Sequence, residues 1–165
     1  MPAELNQTPI TAGDLVLRPV SQALAAELTS GNSPGIPALP GMTAGEGWPH
    51  EDSLDGLTMV AKGRALGWLV TLDGVVVGEC GTHALAEGSG EVEIGYGLAA
   101  PYRGRGYGRA VVRALSQWFA AQPTVTLVLA HTDPANVPSR RSLESAGFRL
   151  DGEEDGECRY VLTTG

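Results

Sequence analysis

Between Glu91 and Ala130 the chain runs through a strand pattern, a glycine-rich turn, an amphipathic helix and a second apolar strand. No other feature constrains the fold as strongly. Glu91–Leu98 reads as a strand, and Gly108 to about Ala121 sets Val111, Ala114, Leu115 and Trp118 on one face at helical spacing. Val125–Ala130 is nearly continuous apolar sequence, the pattern of a strand buried on both sides. Strand, helix and strand make one β-α-β unit, which predicts parallel strands and a right-handed crossover.

The flanking segments extend this unit into a mixed sheet. Trp68–Leu72 and Val75–Gly78 enclose Asp73-Gly74, a strong hairpin signal, with the second strand continuing to about His83. A turn is expected at Glu87–Gly90. Upstream, Leu15–Arg18 is a short strand stopped by Pro19, and Ser21–Thr29 a short helix opened by its serine. Ser53 is placed as the cap of a helix from Leu54 to about Lys62. Downstream, Ser139–Ala146 is a short helix ended by Gly147. Phe148–Leu150 and Cys158–Leu162 form a final hairpin around an acidic loop. The expected fold class is α/β (α+β), a mixed sheet with helices on both faces. Residues 1–13 read as a loose leader, 14–165 as a single domain, and 30–50 as a long Gly/Pro-rich loop.

The 165 residues suffice for one domain with a real core. No apolar run approaches the ~20 residues of a membrane span, and no secretory signal is visible. A soluble cytoplasmic protein is the default. Cys80 and Cys158 lie far apart, and His50, His83 and His131 lack ligand spacing, so neither a disulfide framework nor a metal site is expected. Net charge of −8 argues against a nucleic-acid partner. Within that acidic whole, Arg103, Arg105, Arg109, Arg113, Arg140 and Arg141 supply six of the eleven basic residues in two short segments. Such local cationic patches suit a small polyanion.

Two motifs carry chemistry. The first is Pro101-Tyr-Arg-Gly-Arg-Gly-Tyr-Gly-Arg109, between a strand and a helix. Glycines let the backbone approach closely and turn successive N–H groups into one concavity, and the helix start adds a positive end. This describes a pyrophosphate cradle with charge-assisted arginine contacts. It is not a P-loop, which ends in Gly-Lys-Ser/Thr, nor a dinucleotide fingerprint, which needs Gly-x-Gly-x-x-Gly in a first β-α-β unit. The second motif is Asn136-Val-Pro-Ser139 through Gly147-Phe148, with Asn136 at a strand-to-helix turn.

Together the two motifs resemble the GNAT superfamily of N-acetyltransferases. The family pattern Arg/Gln-x-x-Gly-x-Gly/Ala is matched by Arg103, Gly106 and Gly108, and its downstream pattern by Asn136, Ser139, Gly147 and Phe148. Glu93-Ile-Gly-Tyr96 and Leu15–Pro19 resemble the branch that holds ribosomal-protein N-terminal acetyltransferases. The resemblance spans roughly 14–162 and implies a mostly antiparallel twisted sheet with a splayed central parallel pair. It implies acetyl-CoA as cosubstrate, no metal, and transfer of an acetyl group to a primary amine by direct attack. The pyrophosphate would sit on Gly104, Arg105, Gly106, Tyr107, Gly108 and Arg109, with Arg103 at the head of the motif. The pantetheine would bond the backbone at Leu98 and Ala99. Asn136 would bond that arm or hold the turn, and Arg140 or Arg141 would reach the phosphates.

The resemblance also implies roles in catalysis. Many members carry a tyrosine acid seven residues after the motif asparagine, where this chain has Leu143. Ser139 is placed instead as donor to the leaving thiolate, with Tyr96, Tyr102, Tyr107 or Tyr160 as alternatives. Glu93 is the expected base, with Glu79 and His83 behind it, and backbone N–H groups of the Glu91 strand would stabilise the oxyanion. An α-amine of pKa ~8 is about 10% neutral at pH 7, whereas a lysine amine at ~10.4 is under about 0.1% neutral. A peptide N-terminus or small cationic amine is the expected acceptor. The acidic stretch Asp151–Glu157 borders the acceptor side in this family, which favours a cation. A non-catalytic acyl-CoA-binding domain, another acyl group and a hydroxyl acceptor remain open. The chain is expected to act as a monomer or homodimer, without membrane or nucleic acid.

Overall fold

The computed structural model describes residues 6–30, 41–83 and 88–164. Parts of the expected leader (1–5), long loop (31–40) and turn (Glu87) lie outside them. The described residues form strands β1 (Ile10–Ala12), β2 (Leu15–Pro19), β3 (Thr43–Ala44), β4 (Gly67–Leu72), β5 (Val75–Thr82), β6 (Glu91–Leu98), β7 (Leu127–Thr132), β8 (Arg149–Glu154) and β9 (Glu157–Thr163). Four α-helices accompany them: α1 (Gln22–Thr29), α2 (Glu51–Ala61), α3 (Tyr107–Ala120) and α4 (Val137–Ser145). The sheet order is β1-β2-β4-β5-β6-β7-β9-β8, with β3 beside β5. Pairing is antiparallel except for β6 with β7 and the two-residue pairing of β3 with β5.

Two buried clusters cover the two faces of the sheet. Trp68 and Val70 of β4 pack toward α3 and α4, while Leu69 between them packs toward α1 and α2. Strand alternation splits one apolar run between two cores. Fully buried Trp68 meets Trp118 and Phe119 of α3 edge to face, with ring centroids 5.2 and 5.8 Å away.

Several expectations need correction. Residues 10–12 are not loose: Ile10–Ala12 pairs with Leu15–Leu17, and the indole N–H groups of Trp68 and Trp118 donate to the carbonyl and hydroxyl of Thr8. Helix α2 starts three residues earlier than expected, after His50, and Ser53 sits in its first turn, where its hydroxyl accepts the His50 N–H. Strand β7 starts two residues late because Val125 is taken up by a turn onto Gln122. The acidic stretch is no loop: Asp151–Glu154 continues β8, and Asp155-Gly156, both at positive φ, make a two-residue turn. Helices α1, α3 and α4, the Asp73-Gly74 hairpin and β6 lie where the sequence placed them, α3 and α4 shifted by one or two residues.

One irregularity bears on the site. Val70 pairs with Gly78 and Thr71 with Val76, so Val77 is an extra residue in β5. This bulge inverts the facing of the residues after it. Glu79 therefore lies across from Leu69 and Gly97, on the α2 side of the sheet.

Candidate active site

The parallel ladder of β6 and β7 is three pairs long and ends at Glu93↔Leu129. Beyond it β6 continues to Leu98 beside β5, and β7 continues to Thr132 beside β9. The two strands diverge, and a cleft of about 1470 Å³ passes between them. Its walls run from Gly104, Gly106 and Arg109 on the α3 side to His50, Glu79 and His131 on the α2 side.

On the α3 side, Gly104 and Gly106 take φ of 76° and 82°, and a Cβ built on either would meet no atom within 4 Å. Their backbone lies open where α3 begins, so free N–H groups and the helix dipole point at one place. Gly108 has another role. A Cβ there would stand 2.9 Å from the Tyr96 hydroxyl, so its bare backbone lets α3 approach β6. The Arg103 Nε–H donates to the Leu98 carbonyl at 2.8 Å and ties the turn to the end of β6. The Ala99 N–H donates to Val77, and Arg105 lies over the Tyr102 ring at 5.8 Å. Tyr107 is half-buried against the core.

Asn136 caps α4 by accepting the Ser139 N–H at 3.2 Å, so it holds the turn. Ser139 and Arg141 line the cleft and Leu143 closes it from the core. Arg140 turns inward: its Nε–H donates to the Tyr160 hydroxyl, which donates in turn to Glu144, each at 3.0 Å. Tyr160 is thus fully buried in a structural network, and Tyr96 is the one tyrosine among those lining the cleft.

On the α2 side, Gly95 and Gly97 of β6 clear a floor between two carboxylates. A Cβ at Gly97 would collide with Glu79 and one at Gly95 would stand 3.1 Å from His83 Nε2. Glu79 accepts the Trp48 indole N–H at 3.0 Å. The buried His50 Nε2 is 3.9 Å from Glu79 and has no hydrogen-bond partner among the described residues. At the other end, Glu93 Oε2 lies 3.0 Å from His131 Nδ1 and 3.4 Å from His83 Nε2. His131 Nε2 in turn lies 3.0 Å from Glu154. Desolvation pushes the His131 imidazole down, but hydrogen bonds and charge from Glu93 and Glu154 outweigh it and hold the ring above its ordinary value of 6.5. Burial, with help from Glu79, pushes the Cys80 thiol up, so it stays protonated rather than nucleophilic.

The family described as "Acetyltransferase (GNAT) domain" matches residues 14–149. The chain belongs to the GNAT acetyltransferase family. A relative from Bacillus licheniformis, "Uncharacterized N-acetyltransferase p20", is 30% identical over 77 residues, 47% of this chain and 43% of that protein. The match thus spans less than half of that relative's length. Solved GNAT structures share the fold. RimL, a ribosomal L7/L12 alpha-N-protein acetyltransferase in complex with coenzyme A, superposes with a TM-score of 0.66 over 95% of this chain and 98% of its own, at 17% identity. Mycobacterium smegmatis RimJ in complex with CoA-disulfide gives 0.63 over 94% and 86%, at 23% identity. AAC(6')-Ib, in complex with "Parmomycin" and acetyl-CoA, gives 0.63 over 91% and 93%, at 24% identity.

The sequence reading, with Ser139 and Glu93 taken from the family resemblance, named the Gly-rich turn, Asn136, Ser139 and Glu93, which lie along this cleft or beside it. It missed His131, Glu154, Trp48 and His50. These come together only through cross-strand register, the Val77 bulge and the cap of α2, none of which leaves a short-range signal.

Proposed function

We propose that this GNAT protein transfers the acetyl group of acetyl-CoA to a primary amine, either a peptide N-terminus or a small cationic amine. The observation that carries the reading is the end of the β6/β7 ladder at Glu93↔Leu129. It opens one cleft with a basic glycine-rich turn at one side and carboxylates at the other.

The residues present fit the cosubstrate. The open backbone of Gly104 and Gly106, the start of α3, and Arg105, Arg109 and Arg141 would hold its pyrophosphate. Backbone at Leu98 and Ala99 would align the pantetheine, with Asn136 holding the turn beside it. Bound there, acetyl-CoA supplies an activated thioester. Glu93 takes the proton of the amine, and the Ser139 hydroxyl donates to the departing sulfur. Backbone N–H groups of β6 left free by the splay stabilise the oxyanion.

Glu79, Glu93 and the acidic β8–β9 hairpin favour a cationic acceptor. Removing a proton at pH 7 costs roughly 1.4 kcal/mol for an α-amine and roughly 4.6 for a lysine amine, so α-amines should react faster. The test is calorimetric titration with acetyl-CoA, followed by thiol release against a panel of amines and alcohols. Saturable binding plus release with amines supports the reading. Release with alcohols alone contradicts it, and binding without release points to a non-catalytic acyl-CoA-binding domain.

A further inference from the structure

We propose that His131 is the proton store behind Glu93 and that Glu154 is its outlet to solvent. The inference rests on Glu93 acting as the base. Side chains from β6, β7 and β8 align in one string: Glu93 Oε2 to His131 Nδ1 at 3.0 Å, and His131 Nε2 to Glu154 Oε1 at 3.0 Å. Along the string the side chains are 28% exposed at Glu93, 16% at His131 and 59% at Glu154, so the outer end is the one open to solvent. The string therefore leads from the foot of the splay to water.

The ring between two carboxylates has a definite chemistry. Only the imidazolium carries a proton on both nitrogens and so donates to both partners at once. The geometry is complete in the state that has taken up a proton. The relay uses the neutral tautomer with its proton on Nε2 toward Glu154, whose Nδ1 lone pair faces Glu93. The proton balance is then simple. An N–H bond of the ammonium acceptor breaks as an O–H forms on Glu93. That O–H breaks as N–H forms at Nδ1, which restores the Glu93 carboxylate. The imidazolium then loses its Nε2 proton to water through Glu154, and exchange of the ring proton with water restores the Nε2–H tautomer before the next turnover.

Other charged groups around the ring do not replace this path. His83 faces the same Glu93 oxygen from the end of β5 but is 62% exposed. Arg159 sits opposite His131 on β9 with its guanidinium tied to Asp151 of β8. Glu157 pairs with Glu154 across the hairpin, and Asp133 is engaged by the Ala135 N–H. Among the described residues no group of three such side chains converges on a metal position. The arrangement is a string and not a cage.

His131 acts through Glu93, so it is a positioning and proton-holding residue. His131→Asn keeps an amide near the Nδ1 position but cannot take up a proton. Glu154→Gln removes an exposed carboxylate, and the protein should fold with it. The experiment follows the imidazole titration of the three histidines by NMR, and kcat/KM against pH for acetyl transfer to spermidine and to an arginine-containing hexapeptide with a free N-terminus. In the wild type, kcat/KM should rise with pH through the His131 titration. Glu154→Gln should lower the His131 titration midpoint and move the kinetic limb to lower pH by the same amount. His131→Asn should abolish that limb and lower kcat about 10- to 100-fold, with unchanged affinity for CoA. A ring that titrates identically in Glu154→Gln, a limb that stays put when the ring shifts, or a wild-type profile in His131→Asn overturns the inference while Glu93 remains the base. No transfer by the wild type to either amine overturns the base reading and this inference with it.

Discussion

Glu93 on β6 and Leu129 on β7 are the last residues paired across the parallel ladder. One residue later the strands separate, and the backbone polar groups facing the gap lose their sheet partners. The glycine-rich turn opens on one side of this gap and a carboxylate–histidine string on the other.

Gly106 separates backbone strain from charge. Its φ of 82° strains any side chain, but nothing stands within 4 Å of a Cβ there. Gly106→Ala and Gly106→Asp share the strain, about 1–2 kcal/mol. Only the second puts a carboxylate into the cradle. CoA affinity measured by calorimetry should fall at least tenfold further in Gly106→Asp than in Gly106→Ala. Equal affinities would remove the turn from phosphate binding. Gly108→Asp is a poorer probe, because its side chain meets the Tyr96 hydroxyl first.

Ser139→Ala isolates a hydroxyl. The α4 cap uses the Ser139 backbone N–H, which alanine retains, so the helix start should survive. Turnover should drop more than KM for acetyl-CoA rises, because thiolate charge develops only late in the reaction. Unchanged turnover, with chemistry shown to limit the rate, would exclude Ser139 as donor. Asn136→Ala, by contrast, should cost about 0.5–2 kcal/mol of stability through the lost cap, read by denaturant unfolding.

The strand-helix-strand core was legible because each element carries its own period. Glu91–Leu98 is bounded as expected, and Gly147 ends α4 at φ 97°. Three features were not legible, for one physical reason. Residues 10–12 become a strand only because Leu15–Leu17 supplies the partner, and Thr8 is anchored by two indoles sixty and 110 positions away. Glu79 faces the cleft only because Val77 is inserted upstream. His131 meets Glu93 and Glu154 through strand order, from 38 and 23 positions away in the chain. Contacts set by register leave no mark in local spacing.

Stability should carry the signature of His131. Its folded value is raised, so its contribution is full below the unfolded value near 6.5 and is lost as pH rises through the folded one. Unfolding midpoints should fall as pH rises above about 6.5 in the wild type, and this slope should shrink in His131→Asn. Glu154 is exposed, so the effect should be modest and weaken with salt. Parallel curves for the two proteins would show that the ring is unpaired in solution.

The acidic hairpin admits a test of long-range attraction. Glu154 contacts His131, so the clean variant replaces Glu153 and Asp155 with Gln and Asn. Exposed charges are screened over ~8 Å at physiological salt. For a cationic acceptor, kcat/KM should fall with added salt in the wild type and less steeply in the variant, with CoA affinity unchanged. Coincident salt curves would leave Glu153 and Asp155 as solvating charges only.

Amine acetylation itself is tested most directly by product analysis. Purified protein is mixed with acetyl-CoA and an arginine-bearing peptide with a free N-terminus, or with spermidine. Released thiol is counted while mass spectrometry identifies the acceptor product. The account predicts one thiol for each acetyl group found on nitrogen, with an α-amine favoured over a lysine side chain. Saturable binding of acetyl-CoA with no acetylated nitrogen in any amine tested would contradict it.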